Sequence, residues 1–161
     1  MSTHPYSCTL AAVLLWGGLV CASAAAPSVG ANGGYQSADG LVVYLGVVPA
    51  AMVEGRHEAH PGEEEMHGGV PRGRHAFHVM VAVFDADTGE QVRDARVEAR
   101  VAPLGLGEVR QPLEPMTIGD TVTYGNYFTL RHGTYRIRVD VVRPRDGAPA
   151  TVEFTYEHPN G

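Results

Sequence analysis

The amino-acid sequence predicts an all-β protein, built as one antiparallel sandwich of about seven short strands. Apolar and polar residues alternate in several short runs, which is typical of strands with one face in the core and one in water. Turn-forming residues separate these runs, in a chain of 161 residues that contains 20 glycines and 11 prolines. Beyond the N-terminal leader, no segment shows the apolar spacing of an amphipathic helix.

Each predicted strand is bounded by a turn signal or a proline. Arg74–Asp85 is apolar on both faces, so we expect it at the centre of a sheet. Val109–Met116 contains two prolines, which cannot donate to a ladder, so we expect it at an edge. Strands of this number and spacing favour an immunoglobulin-like topology. The other predicted strands are Leu41–Val48, Val92–Val101, Thr121–Leu130, Tyr135–Val141 and Ala150–Tyr156.

The N-terminus predicts export. Residues 10–20 form an uninterrupted apolar run of 11 residues, and the small residues Ala22-Ser23-Ala24 follow it. This run is shorter than the roughly 20 residues that a membrane-spanning helix needs. The pattern is typical of a secretory signal peptide, so we predict a periplasmic protein. A lipid anchor at Cys21 is the alternative, although Val20 stands where a lipobox has a small residue.

The length suits one domain, and we divide the chain into three parts. Residues 1–24 are the predicted signal peptide, and residues 25–40, rich in glycine and serine, are a predicted flexible entry segment. Residues 41–161 form the predicted sandwich domain, which carries a long loop at 51–73. A loop of this length within a compact domain is usually functional or disordered.

Composition excludes several classes of function. The 12 cationic residues are outnumbered by 18 acidic ones, giving a net charge of −6, so the chain has no basic face for nucleic acid. Both cysteines lie in the leader, so thiolate ligands and a cysteine nucleophile are absent from the predicted domain. Neither a Gly-x-Ser-x-Gly nor a His-Glu-x-x-His motif occurs. We therefore expect no enzyme activity.

Histidines are concentrated in one part of the chain. Five of the seven histidines beyond the leader lie between residues 57 and 78, together with glutamates and methionines. Imidazole suits copper, zinc, iron and nickel, and thioether sulfur favours Cu(I), so this composition predicts a transition-metal site. His75 and His78 point to opposite faces if they share a strand, so they could bind one ion only across a bend. The alternative is that these histidines are solvent-exposed and incidental.

A motif in the second half of the sequence resembles the periplasmic iron-transport proteins that accompany iron permeases. The motif reads Met116-x-x-x-Asp120-x-x-Thr123-Tyr124-Gly125-x-Tyr127, followed by Gly133-x-Tyr135. Shorter similarities are Val43-Tyr44, Asp87-Thr88-Gly89-Glu90 and the hairpin at 134–156, so the resemblance spans about 41–157. It implies an immunoglobulin-like sandwich that binds copper or iron, that often forms a homodimer, and that has an inner-membrane metal permease as its partner.

The resemblance carries over only part of the metal site. The family has a ligand histidine immediately before Tyr-Gly, where this chain has Thr123, and a second one where this chain has Asp140. Met116 is retained, and His67 matches an upstream family histidine. Combining the resemblance with the composition, we predict the metal ligands to be His67, His75, His78 and Met116, followed by Met66 and Glu65.

Two functions follow from the sequence. The first is an exported protein that binds copper or iron for metal uptake or handling. The second is a non-enzymatic interaction or structural module whose loop docks a partner protein and whose histidines are incidental.

Overall fold

The computed structural model describes residues 33–54 and 70–159. These residues form eight antiparallel strands and one short helix, which confirms the all-β prediction with one strand more than expected. No helix among them is long and apolar enough to cross a membrane. The elements are β1 Gly33–Ala38, β2 Leu41–Pro49, α1 Ala50–Glu54, β3 Ala76–Asp85, β4 Arg96–Pro103, β5 Val109–Ile118, β6 Thr121–Thr129, β7 Gly133–Val142 and β8 Ala150–His158.

The strands follow the order β1-β2-β3-β6-β5-β4-β7-β8. β5 links the two halves of the sandwich, since residues 114–118 pair with β6 and residues 109–113 pair with β4. At the other end of the order, β1 approaches β8, so the sheet is nearly closed and resembles a barrel. β3 lies between β2 and β6, as the apolar character of both its faces predicts.

The core forms between the two halves, from alternate residues of each strand. In β3 these are the odd-numbered residues Phe77 to Val83, and in β7 they are Tyr135 to Val141. The intervening residues of β7 point outward and are mainly charged. The alternation in the sequence therefore determines which face of each strand is buried.

A tyrosine joins β6 to the segment before β4. Tyr124 is 1 % exposed, and its hydroxyl accepts a hydrogen bond from the Ala95 N–H and donates one to the Val92 carbonyl, both at 3.1 Å. Tyr124→Phe leaves the Ala95 donor without its partner in a part-buried position, so we expect a loss of about 1–3 kcal/mol of unfolding free energy. Urea unfolding measures this, with Tyr35→Phe as a control because Tyr35 is half exposed. An equal effect of the two variants would contradict the assignment.

Three predictions about elements need correction. β5 lies in the middle of the strand order instead of at its end, because each half of it pairs with a different neighbour and is an edge only on its other side. Each half of β5 has one unpaired side, where a proline breaks no ladder hydrogen bond. Pro112 lies in the half that pairs with β4, and Pro115 lies in the half that pairs with β6. Part of the predicted flexible entry segment forms β1, and the helix α1 occupies the start of the predicted loop 51–73.

A tight hairpin joins β1 to β2. Ala38 pairs with Leu41, so Asp39 and Gly40 form a two-residue turn, and both have positive φ (49° and 75°). Asp-Gly is a preferred sequence for such a turn. The glycine-rich and serine-rich composition of 25–40 therefore concealed a strand that precedes a strong hairpin signal.

Candidate metal site

The candidate site lies on the outer face of the sheet, on the side opposite the core. In β3, His78 and Met80 alternate with the core residues Phe77 and Val79, so strand geometry directs them outward. His78 is nevertheless only 1 % exposed. A buried imidazole on the outer face makes His78 the starting point for a candidate site.

Gly125 makes room for the His78 ring. A Cβ at Gly125 would lie 2.5 Å from His78 Nε2 and 2.9 Å from its Cε1. The same position is 3.4 Å from the methyl carbon of Met116. His78 and Met116 therefore meet over the backbone of Gly125, which explains the need for glycine in β6 at this point.

Met116 reaches this point from β5. It pairs with Thr123, two residues before Gly125, and it is only 7 % exposed. The Thr123 hydroxyl oxygen is buried and has no hydrogen-bond partner within the described part of the chain. An unsatisfied buried hydroxyl costs about 1–3 kcal/mol. A bound ion with its coordinated water would give this oxygen a partner.

Aromatic and thioether groups complete the surroundings. The Tyr127 ring lies beside the His78 ring, with centroids 4.8 Å apart and planes tilted by 36°. Met80 pairs with Gly125 on one side and with Gly46 on the other, and its side chain lies over Gly46. Met80 is thus a second thioether on the same face, absent from the predicted ligand set. The signal was the His78-x-Met80 spacing, which places both side chains on one face of a strand.

This donor set has a distinct chemistry. Within residues 33–54 and 70–159, no three imidazole, thiol or carboxyl groups converge in a way that could hold a metal ion. The side chains that the structure does bring together over Gly125 are one imidazole and one thioether, those of His78 and Met116. One imidazole with one or two thioethers is a soft donor set, which suits Cu(I) better than iron or zinc.

His75 does not join His78 and Met116. It lies in the turn before β3, where its Nε2 accepts a hydrogen bond from Arg74 Nε at 3.2 Å and its ring faces that of His132. The expected divergence of His75 and His78 assumed that both lie on one strand, whereas β3 begins at Ala76 and His75 precedes it. The structure therefore separates two of the predicted ligands and keeps only His78 beside Met116.

Asp140, which stands where the resemblance implies a family histidine, has protein partners for both carboxylate oxygens. It lies on β7, is 8 % exposed, and forms an ion pair with Arg100 through one carboxylate oxygen. Its other oxygen accepts a hydrogen bond from the Thr151 hydroxyl at 2.7 Å. Both oxygens are engaged in the outer face of the β4–β7–β8 half. The remaining predicted ligands, His67, Met66 and Glu65, lie outside the described residues.

Comparisons with known proteins identify the fold. No family model and no curated protein sequence matches the chain. A DUF4426 family protein from Pseudomonas aeruginosa aligns with a TM-score of 0.58 and 19% identity, over 81% of this chain and 97% of that one.

Two further solved structures agree with the family that the sequence resembles. FetP from uropathogenic Escherichia coli, expressed in the periplasm, gives a TM-score of 0.61 at 14% identity, over 80% of this chain and 94% of that one. Copper-reconstituted P19 from Campylobacter jejuni gives 0.57 at 13% identity, over 79% and 94%. The chain therefore shares the all-β antiparallel fold of these proteins.

Proposed function

We propose that this chain is an exported copper-binding protein that acts in transition-metal uptake or handling. The observation that supports this most directly is the meeting of His78 and Met116 over Gly125, on the outer face of the sheet. These are two of the predicted ligands, and they come from strands far apart in the sequence. The copper-bound state of P19, which has the same fold, adds support.

The position of the imidazole accounts for the departure from the family motif. The family has histidine where this chain has Thr123, on β6. Here His78 projects from the neighbouring strand β3 and reaches the surface above Gly125, two residues further along β6. We infer that the chain has moved its imidazole to the adjacent strand while keeping Met116 in place.

Several parts of the proposal extend beyond the described residues. His67, Met66 and Glu65 are proposed to supply further donors, because imidazole and thioether groups are ligands that suit copper. The proposed location is the periplasm, the proposed partner is an inner-membrane metal permease, and a homodimer is the proposed assembly. No catalytic step is assigned to this chain.

Met116→Leu tests the proposed site with little change in volume. Since the variant removes one thioether donor, we expect Cu(I) affinity to fall at least tenfold, about 1.4 kcal/mol, in competition with a chromophoric Cu(I) chelator. Met52→Leu is the matched control, because Met52 lies on α1 and is 65 % exposed. Equal Cu(I) affinity in the two variants would remove Met116 from the site.

An interaction module remains the second candidate, favoured by an exposed aromatic row. Tyr35 and Tyr44 are each about half exposed, and Tyr44 lies between Tyr35 and Phe84, with ring centroids 5.6 Å apart on both sides. Exposed tyrosines are common at protein interfaces. If wild-type protein binds Cu(I), Fe(II) and Zn(II) only weakly and at several equivalents, this second function gains support.

A further inference from the structure

Three histidines meet at the end of the sandwich where β3 begins. His132 lies in the turn between β6 and β7, and its ring stacks on that of His158 with centroids 5.0 Å apart. The His75 ring faces His132 edge-on at 6.2 Å. We call these residues the end cluster. Its members come from the entry to β3, from the β6–β7 turn and from the end of β8.

The end cluster connects the two halves of the sandwich. His158, on β8, also packs its ring against Phe77 of β3, with centroids 4.7 Å apart, and Phe77 belongs to the core. His132 Nδ1 lies 2.9 Å from the Pro159 carbonyl oxygen, which ties the β6–β7 turn to the end of β8. The Leu130 N–H donates to the His75 carbonyl at 2.9 Å, which ties the same turn to β3.

Among residues 33–54 and 70–159, the charged side chains that act on the end cluster from outside it are those of Arg74 and Arg131. Desolvation is the main cause that lowers the pKa of His75, followed by the charges of Arg74, Arg131 and His132, while an interaction with the Leu130 backbone acts in the opposite direction. Desolvation also lowers the pKa of His158, followed by the charges of His132 and His75. Glu157 is exposed and alternates with His158 along β8, so it points to the other face.

Protonation would disturb the contacts that hold the end cluster together. His75 Nε2 accepts a hydrogen bond from Arg74 Nε. A protonated imidazole has only donors, so its Nε2–H would face the Arg74 Nε–H and the hydrogen bond would be lost. Two stacked imidazolium rings at His132 and His158 would repel each other. The contacts among the three rings are therefore compatible with neutral imidazoles, and two or three charged rings would weaken them.

We propose that the end cluster is a proton-sensitive closure, which holds β3, β8 and the β6–β7 turn together when neutral and releases them when protonated. The sign follows from linkage. His75 and His158 have pKa values below the ordinary 6.5, so the open end binds more protons than the closed end. The closed end is therefore fully stable above pH 6.5 and loses stability as the pH falls through the lowered pKa values.

The test uses metal-free wild-type protein, His132→Gln and Arg145→Gln. His132→Gln removes the ring that contacts both other members, and Arg145→Gln removes one cationic group from an exposed site elsewhere. NMR titration of the imidazole protons should show His75 and His158 titrating below 6.5 in wild type. Both pKa values should rise in His132→Gln and stay unchanged in Arg145→Gln.

Hydrogen exchange measures the opening itself. When the pH is lowered from 7.5 to 5, and after correction for the intrinsic exchange rate, we expect the amides of residues 74–78, 130–134 and 156–158 to exchange several-fold faster in wild type. This acceleration should be much reduced in His132→Gln and retained in Arg145→Gln. The proposal is overturned if both histidines titrate at their ordinary value, or if these amides exchange at the same corrected rate at both pH values.

Discussion

His78→Gln is expected to lose tight Cu(I) binding, with an affinity at least 100-fold lower than wild type, equivalent to about 2.8 kcal/mol. His78 is the imidazole of the described part of the chain that lies beside Met116, and its Nε2 is held over Gly125. Glutamine has similar length and a polar end, but it lacks the imidazole nitrogen that binds Cu(I) and Cu(II) well. Chelator competition with Cu(I) measures the loss, and circular dichroism verifies the fold.

His132→Gln is the matched control for this variant. It makes the same chemical change, but at an exposed imidazole in the turn between β6 and β7, where the end cluster lies. We expect its Cu(I) affinity to equal that of wild type. Equal losses in His78→Gln and His132→Gln would show that copper binds through diffuse histidine contacts, and the proposed site would then be wrong.

A second substitution tests whether the imidazole has moved between strands. Thr123 lies on β6, opposite Met116, at the position where the related motif has histidine. Adding Thr123→His to His78→Gln returns an imidazole to the same surface from the other strand. We expect the double variant to recover at least tenfold of the lost Cu(I) affinity. Thr123→Gln in the same background should recover none, and no difference between the two would contradict the proposed exchange of positions.

Local sequence patterns predicted the parts of the site that depend on a single strand. The alternation along β3 placed Val79, Val81 and Val83 on one face and Met80 on the other, because successive side chains of a strand point to opposite faces. The pairing of His78 with Tyr127, and the position of its ring over Gly125, depend on the register between β3 and β6. That register is a tertiary property, set by core packing across both halves of the sandwich, and no local pattern contains it.

Elements with conflicting local signals were harder to predict. The two prolines of β5 correctly indicated missing ladder bonds, but an edge strand and a strand that changes partner both satisfy that signal. The glycine and serine content of the segment before β2 predicted a flexible segment. The Asp39-Gly40 turn in the same segment favours a hairpin, with a strand on either side. Asp140 stands where the resemblance implies a family histidine, but its ion pair with Arg100 is a tertiary contact that no local pattern contains.

Gly125→Ala is expected to damage the site by steric means alone. Gly125 does not have positive φ, so alanine fits the backbone conformation. The new methyl group would lie 2.5 Å from His78 Nε2, well inside van der Waals contact, so the ring must move. Forcing an extra methyl into a packed position costs about 1–3 kcal/mol of unfolding free energy. We also expect Cu(I) affinity to fall at least tenfold, because His78 leaves Met116.

Gly46→Ala separates this steric effect from a general intolerance of alanine on the outer face. Gly46 lies on the other side of Met80 from Gly125, and a Cβ there would meet Met80 Cγ at 3.2 Å. A methionine side chain is flexible and can shift, so we expect a small loss of stability and near-normal Cu(I) affinity. If Gly125→Ala binds Cu(I) as well as Gly46→Ala does, the imidazole is not held over Gly125.

A double-mutant cycle then attributes the stability loss to the His78 ring. If the methyl group of Gly125→Ala acts by displacing this ring, its cost should fall by at least half when His78→Ser has already removed the ring. The free energies of unfolding of wild type, the two single variants and the double variant give this coupling directly. Additive effects would mean that Gly125 is required by the β6 backbone or by Met116. Coupled effects would mean that glycine is required because β6 must leave space for an imidazole from β3.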